Sequence, residues 1–407
     1  MAPVVILFIL GALAVAVLGG HLPFSSMQAN VSQTANFSQT QQTSQGNVSH
    51  VRSMASNNSY VSPAPGNSNP VSSVSINTYI KFGPQDKEVI NETNRVVFEF
   101  GAEVSPSDTE GQITFETKIE GFDDNWKETY GSQRTIDLPA GPKEYTFLVR
   151  AKINDIVDPT PAKRTFKLNI SPYFDKVKIS SVTPPDARAN PSLITLNTEL
   201  NEKEKVDITG WKFEGKYGNF IVPKGIEQFN PLFRPLLLKD IIVKQGDRIY
   251  ISSAANPLGD KDFNFRTNKC MGYLVSFNQF TIPISKNCPS SQILPESLCE
   301  DCQDYIFSLG ACQAPTFQGM EKYDLLKDDA CRSYLDLNLN YGGCYRNYYR
   351  DQNFWENQWH IYLDRAEKEI MDINVDTIYL RDRNGLLVDK YTYGGSRAYD
   401  SFFYHYR

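Results

Sequence analysis

Residues 113–120 (ITFETKIE) and 145–153 (YTFLVRAKI) decide the fold class of this 407-residue chain. In each stretch apolar residues alternate with residues that are mostly polar or charged. A period of two is typical of a β-strand with one buried and one solvated face. Further alternating runs at 96–104 and 164–170 are bounded by Gly, Pro, Asp and Asn, so this region predicts a small β-sandwich.

The turns of the same region carry a family resemblance. Residues 120–126 (EGFDDNW), 138–145 (LPAGPKEY) and 172–174 (PYF) resemble the corner, hairpin and exit of the three-tyrosine domain. The resemblance implies a fibronectin type III-like sandwich over residues 76–174, used as a spacer, dimerisation or presentation module. We expect Trp126 to close the core of this sandwich rather than to bind a ligand, because large aromatic side chains are usually buried.

Alternation resumes at Val177, and four later segments resemble the lamin-tail domain, which is an immunoglobulin-like sandwich. These segments are VDITGW at 206–211, IVPKG at 221–225, GDRIYIS at 246–252 and TIYLRDRNGLLVDKYTYG at 377–394. The resemblance implies a second sandwich whose first part covers residues 175–285 and whose closing strands lie within 359–395. The predicted fold class is therefore mainly β, with two immunoglobulin-like sandwiches.

The last of these segments contains a turn and two aspartates. Asn384 and Gly385 tolerate positive φ, so the flanking strands can fold back as a hairpin. Asp382 and Asp389 could hold a cation, but an aspartate that caps its own turn is the preferred interpretation.

The N-terminus predicts export. Pro3–Gly20 is an uncharged apolar run that, at about 1.5 Å per residue, just crosses about 30 Å of hydrocarbon. Residues 1–22 are thus a signal anchor or a cleaved signal peptide. Residues 23–75 are rich in Ser, Asn and Gln and predict a disordered tether, while residues 396–407 form a C-terminal tail. The membrane is the expected partner of the N-terminal segment, and the folded part is expected to be extracytoplasmic, either anchored or secreted.

All seven cysteines lie between Cys270 and Cys344, mostly in a segment, residues 286–358, that interrupts the second sandwich. This segment and its flanks resemble a lamin-tail variant of uncharacterised candidate-phylum bacterial surface proteins, which implies architecture and little chemistry. Dense cysteines in an exported chain predict disulfides. A zinc site at the C-x2-C of Cys299 and Cys302 is the weaker alternative, because no second ligand pair follows at the usual spacing.

Helical spacing predicts how the cysteines pair. Apolar stripes begin at Cys302 and Cys331 and end at Gly310 and Gly342–Gly343, which predicts a hairpin of two short helices. In an antiparallel hairpin the start of one helix meets the end of the other. The expected disulfides are Cys302–Cys344, Cys312–Cys331 and Cys270–Cys288. Cys299 is then either a free thiol or a competitor of Cys302 for its partner.

Charge and histidine content limit the function classes. The net charge of −6, with acidic and basic residues interleaved, disfavours a nucleic-acid partner. His360 lies in an alternating strand where it would point to solvent, and no catalytic motif accompanies it. We therefore expect no catalytic residues, metal or cofactor, and a non-enzymatic structural or adhesive surface protein whose protein or glycan partner the sequence does not specify. A carbohydrate- or protein-binding module is the alternative, followed by a thiol redox protein using Cys299 and Cys302.

The predicted extracytoplasmic location of the folded part is directly testable. Protease added to intact cells should cut the chain within residues 25–75, because the polar tether would lie outside the membrane and lack a core. Immunoblotting of cells and medium measures the cleavage. Full protection of the chain on intact cells would contradict an extracytoplasmic location.

Overall fold

The computed structural model describes residues 74–186, 190–230, 237–259, 263–289, 294–365 and 369–394. The predicted apolar anchor, the predicted tether up to residue 73 and the predicted C-terminal tail lie outside these ranges. Within the described residues, no helix is both long and apolar enough to cross a membrane.

The first part of the described chain forms two sheets in which most strand pairs are antiparallel. Their strands are β1 (Ser75–Phe82), β2 (Glu88–Ile90), β3 (Arg95–Ser105), β4 (Ile113–Glu120), β5 (Lys127–Thr129), β6 (Gln133–Asp137), β7 (Lys143–Ile153), β8 (Ile156–Val157) and β9 (Ala162–Leu168). One sheet has the order β1-β3-β6, and the other has the order β2-β9-β7-β4-β5 with β8 against β7. The two alternating stretches that predicted strands correspond to β4 and β7.

Aromatic rings fill the space between these two sheets. Phe98 of β3 stacks on Phe147 of β7 with ring centroids 3.8 Å apart. Phe100 meets Phe115 of β4 edge-on, with centroids 5.0 Å apart. All four rings are buried, and burial of one such side chain stabilises the fold by about 1.5–3 kcal/mol. The apolar positions of the alternating strands thus form one core, which makes this part a β-sandwich.

The corner after β4 is held by a buried carboxylate. Asp123 accepts a hydrogen bond from the backbone N–H of Ile119 at 2.8 Å. Its other contacts are the Arg134 guanidinium, at 2.8 and 2.9 Å, and the Lys127 ammonium at 2.8 Å. Burial raises the pKa of Asp123, but these donors outweigh it and hold the pKa at about 2. The conformation of the EGFD corner therefore depends on an ionised Asp123.

The structure corrects the prediction for Trp126. This side chain is only half-buried, and its ring lies under the Arg150 guanidinium, 4.2 Å from centroid to carbon. Arg150 is on the outward side of β7 and pairs with Glu116 of β4 at 2.6 Å. Trp126 therefore packs on the outside of the sheet, because the core is already filled by phenylalanines.

The second part of the chain contains three sheets. Their strands are β10 (Val177–Thr183), β11 (Leu193–Thr198), β12 (Lys205–Asp207), β13 (Lys212–Gly215), β14 (Gly218–Ile221), β15 (Ile242–Lys244), β16 (Arg248–Ser252), β17 (Phe265–Asn268), β18 (Trp355–Tyr362), β19 (Asp376–Arg381) and β20 (Leu387–Tyr393). The sheet orders are β10-β11-β16-β18-β17, β14-β13-β19-β20 and β12-β15. Phe213 and Leu380 from the four-stranded sheet share one buried core with Ile249 and Trp359 from the five-stranded sheet.

Strand β20 also contacts the first sandwich and the residues that lead out of it. The Ser171 backbone N–H donates to the Leu387 carbonyl oxygen at 2.9 Å. The Lys390 ammonium lies 2.7 Å from the Glu92 carboxylate. Strand β20 therefore joins the two sandwiches.

A helical insertion separates β17 from β18. It contains a 3₁₀ turn (Met271–Ser276) and, within the described residues, the helices α1 (Glu300–Ser308), α2 (Phe317–Lys322), α3 (Asp329–Asn338) and α4 (Tyr341–Tyr348). The predicted pair of helices corresponds to α1 and α3, but the predicted stop at Gly342–Gly343 is wrong. Both glycines lie inside α4, which begins at the N-cap Asn340. The insertion is therefore not a simple two-helix hairpin.

The disulfide pairing differs from the prediction for the same reason. The bonds are Cys270–Cys344, Cys288–Cys312 and Cys302–Cys331, with Cα atoms 5.8, 5.1 and 5.9 Å apart. The predicted pairs Cys302–Cys344, Cys312–Cys331 and Cys270–Cys288 are wrong. Cys302 and Cys331 both occupy first helical turns, and these turns lie side by side. Cys344 belongs to the additional helix α4, which carries it back to the end of β17.

The insertion covers the outer face of the five-stranded sheet. Phe265 of β17 and Tyr362 of β18 share a buried cluster with Cys270, Met271 and Cys344 of the insertion. A smaller cluster, built around Cys302, Cys331, Tyr305 and Leu335, lies farther along the insertion. Strand β18 therefore has the sandwich core on one face and the insertion on the other.

The Asp123 corner generates a stability prediction. Asp123→Ala should destabilise the first sandwich by about 3 kcal/mol, since it leaves the largely buried Arg134 guanidinium without its carboxylate partner. The contribution of Asp123 is present above pH 3.8 and is lost as the pH falls towards about 2. Urea unfolding measures the loss. Asp124→Ala, at the exposed neighbouring position, is the matched control and should change stability by less than about 0.5 kcal/mol; equal effects of the two substitutions would contradict the role of Asp123.

Candidate functional site

Cys299 and Cys302 lie at the start of α1. The Cys299 sulfur caps this helix, since it accepts a hydrogen bond from the Cys302 backbone N–H at 3.4 Å. The Cys299 thiol donates to the Asp328 carboxylate at 3.1 Å. Asp328 in turn caps α3 by accepting from the Cys331 N–H at 2.9 Å. The two caps, their mutual hydrogen bond and the Cys302–Cys331 disulfide hold the first turns of α1 and α3 together.

This arrangement gives Cys299 a structural setting. Cys299 is an exposed free thiol, and its hydrogen bond to the Asp328 carboxylate raises its pKa. A raised pKa lowers the thiolate fraction, and the thiolate is the nucleophile and metal ligand. Cys302 is already bonded to Cys331, so the C-x2-C cannot ligate zinc as a pair. In the part of the chain that the structure describes, no cluster of three or more His, Cys, Asp or Glu side chains could hold a metal ion.

His360 is not at the surface, contrary to the prediction. The imidazole is completely buried, with its ring centroid 5.5 Å from that of Tyr250 and 5.7 Å from that of Phe265. Neither nitrogen has a hydrogen-bond partner among the described residues, and burial lowers the pKa of His360 to about 3. Strand alternation placed His360 on the outer face of the sheet correctly, but the insertion covers that face. A neutral, enclosed imidazole of this kind cannot exchange protons with a substrate.

The two aspartates of the last hairpin have separate structural roles. Asp382 accepts hydrogen bonds from the backbone N–H groups of Asn384 at 2.8 Å and Leu386 at 3.0 Å. Asp382 therefore caps its own turn. Asp389 accepts from the Ile179 N–H at 2.6 Å, which ties β20 to β10, and burial raises the pKa of its carboxyl group.

The insertion contains a cavity that the sequence did not predict. It has a volume of about 240 Å³ and opens between the C-terminal ends of α1 and α3, helix α4 and the 3₁₀ turn. Its walls include Tyr273, Phe307, Leu309, Asn338, Asn347 and Tyr348, together with cysteines of the Cys270–Cys344 and Cys288–Cys312 disulfides. We call this site the insertion cavity. Because four separate segments form it, no local motif could have revealed it.

Three features fix the shape of the insertion cavity. Two disulfides lie in its walls, so the chain segments around it cannot separate. Gly272 allows the 3₁₀ turn to approach the Cys288–Cys312 disulfide closely, since a Cβ atom there would collide with the Cys312 sulfur. Between two of the lining residues, the Asn347 side-chain amide donates to the Asn338 side-chain oxygen at 3.2 Å. The cavity is therefore a preformed feature of the oxidised chain.

Comparisons with known proteins do not define a family for this chain. No protein-family model matches the chain, and no curated protein matches it. One similar solved structure is that of the chicken CNTN1 FN1–FN3 domains, at 9% identity and a TM-score of 0.18, covering 41% of this chain and 55% of that one. Another is the BSP domain of a biofilm associated protein, at 13% identity and a TM-score of 0.14, covering 44% of this chain and 27% of that one. The chain thus spans about half of the first structure and about a quarter of the second.

The buried imidazole generates a pH prediction. His360 has a pKa of 6.5 when unfolded and about 3 when folded, so only the unfolded state takes up a proton between these values. Stability should therefore fall below pH 6.5 by about 1.4 kcal/mol per pH unit. His360→Phe removes the titrating group and keeps an apolar ring in the interface. Urea unfolding of both proteins between pH 7 and 5 measures the effect. The remaining histidines are present in both proteins, so their contributions cancel in the comparison. If the free energy of unfolding changed with pH in the same way in both proteins, the prediction would be contradicted.

Proposed function

We propose that this chain is an exported, non-enzymatic structural or adhesive protein of the cell surface. In this proposal an N-terminal anchor and tether present two β-sandwiches and a disulfide-linked insertion away from the membrane. The observation that carries it is the insertion, in which three disulfides crosslink a helical segment held on the outer face of the second sandwich.

The disulfides support the extracellular part of this proposal. Three disulfides within 75 residues are typical of proteins in an oxidising environment, such as the outside of the cell. Each contributes about 2–4 kcal/mol by restricting the unfolded chain. A segment with such small apolar clusters needs that contribution. This use of cysteine is typical of secreted modules that must resist unfolding and proteolysis.

The joint between the sandwiches supports a structural role. Strand β20 bonds to Ser171 and Glu92 as well as to its own sheet. The two sandwiches therefore form a continuous unit that can transmit a pulling force from the tether to the insertion. Under this proposal residues 76–174 are a three-tyrosine-like module, and residues 175–285 with 359–395 are a lamin-tail-like module around the insertion at 286–358.

The alternative functions differ in their support. The insertion cavity favours a carbohydrate- or protein-binding module, because recognition sites are commonly concave and combine apolar and polar groups. A redox function has less support, since the carboxylate of Asp328 raises the pKa of the Cys299 thiol and Cys302 is engaged with Cys331.

An attachment assay on producing cells tests the proposal. Cells that display the full chain should attach to neighbouring cells or to a solid support more strongly than cells whose chain lacks residues 76–394. Both chains carry the same C-terminal epitope, so that surface display can be equalised by antibody staining. Cys299→Ser should attach like the full chain. Equal attachment with and without residues 76–394 would refute the adhesive function, and loss of attachment in Cys299→Ser would instead support redox chemistry.

A further inference from the structure

The chemistry of the insertion cavity indicates its ligand class. None of the residues that line the cavity carries a charge. Its polar groups are the neutral amides of Gln313, Asn338 and Asn347 and the phenols of Tyr273 and Tyr348. Amides and phenols both donate and accept hydrogen bonds. Such a lining suits a neutral ligand that carries both donors and acceptors, and it disfavours phosphates, carboxylates and basic peptides, whose charges would lose solvation without gaining a partner.

The apolar residues of the cavity lining restrict the chemical class of the ligand further. Phe307 lines the cavity and is 64% exposed, so a ligand that covers its ring would remove apolar surface from water. Aromatic rings with adjacent polar groups are suited to ligands that present one apolar and one polar side. A sugar ring has this character, since its C–H face packs on an aromatic ring while its hydroxyl groups point outward to amides and phenols.

The volume and the rigidity of the insertion cavity also favour a sugar ring as the ligand. The cavity, at about 240 Å³, is smaller than the roughly 300–1,000 Å³ of sites for drug-sized molecules. It therefore suits the terminal ring of an oligosaccharide better than an extended peptide. The disulfides Cys288–Cys312 and Cys270–Cys344 hold its walls, so binding does not require ordering of the site, and a preformed site loses less affinity to entropy.

We propose that the insertion cavity binds a terminal sugar residue of a neutral glycan, with Phe307 packing on the sugar ring and Asn338, Asn347 and Tyr348 hydrogen-bonding to its hydroxyl groups. This proposal deepens the proposed adhesive function and rests on it. It makes the insertion the recognition element of the surface protein, with the two sandwiches as its support.

The structure offers a matched pair of variants to test this site. Phe307 of α1 and Phe317 of α2 are both 64% exposed, but only Phe307 lines the cavity. The oxidised full chain is applied to an array of neutral hexose and N-acetylhexosamine oligosaccharides, with sialylated and sulfated glycans and a peptide library alongside. Affinity for the best neutral oligosaccharide is then measured by titration calorimetry.

Saturable binding of a neutral oligosaccharide is expected. Phe307→Ala should weaken it about tenfold or more, because an aromatic contact of this size is lost, and Asn347→Ala should weaken it as well. Phe317→Ala should bind like the unchanged chain. Peptide mapping of the disulfides in each variant verifies that the insertion is intact.

Three results would overturn the proposal: no saturable binding to any neutral glycan, stronger binding of charged glycans or peptides, or equal losses from Phe307→Ala and Phe317→Ala. The attachment assay distinguishes failure of the sugar-site proposal from failure of the proposed adhesive function. If cells displaying Phe307→Ala attach as well as cells displaying the unchanged chain, adhesion stands and the sugar site is refuted.

Discussion

The burial of strand β18 on both faces is the constraint on which the second half of the structure depends. Trp359 and Ile361 enter the sandwich core, whereas His360 and Tyr362 enter the interface with the insertion. A strand in an antiparallel sandwich usually has one wet face, and here the insertion takes the place of water. The insertion in turn has no large core of its own. Each part therefore supplies the apolar surface that the other needs, and neither is complete without β18.

Two of the disulfides reinforce this mutual burial at different places. Cys270–Cys344 joins the end of β17 to α4 and closes a loop of 74 residues, the longest of the three. Constraining a longer loop removes more entropy from the unfolded chain. Cys302–Cys331 lies in the small outer cluster, which has few apolar residues to hold it. One bond thus fixes the insertion to the sheet, and another keeps its outer helices together.

Local periodicity was enough to predict several strands and two of the helices, but not α4 and not the partners of these elements. The alternation at 113–120 and 145–153 identified β4 and β7, and Asp382 is the turn cap that its position in DRNG indicated. The sequence-based predictions fail where a segment distant in the sequence decides whether a side chain is buried. His360 was placed on the correct face, but a covering insertion leaves no trace in the alternation of its own strand. Trp126 lies outside the core because phenylalanines from four strands already fill that core. The propensities of the residues around Trp126 cannot show this.

The disulfide pattern illustrates the same limit more sharply. The predicted pairing required Gly342 and Gly343 to end a helix, since glycine commonly follows a helix C-terminus. In the structure Asn340 caps a new helix instead, through a hydrogen bond from the Gly343 N–H to its side-chain oxygen at 2.8 Å. Asparagine is a strong N-cap. The sequence therefore contained a signal for a helix start at Asn340, but that signal competed with the helix-end signal of Gly342 and Gly343.

The sheet–insertion interface also contains unpaired polar groups, and these clarify why the disulfides matter. Neither the His360 nitrogens nor the Tyr362 hydroxyl has a hydrogen-bond partner among the described residues. A buried polar group without a partner costs about 1–3 kcal/mol, so this interface is less stable than its apolar area suggests. Crosslinks offset the cost only while they stay oxidised. The fold of the insertion, and with it the insertion cavity, is therefore suited to the outside of the cell and would be at its weakest in a reducing compartment.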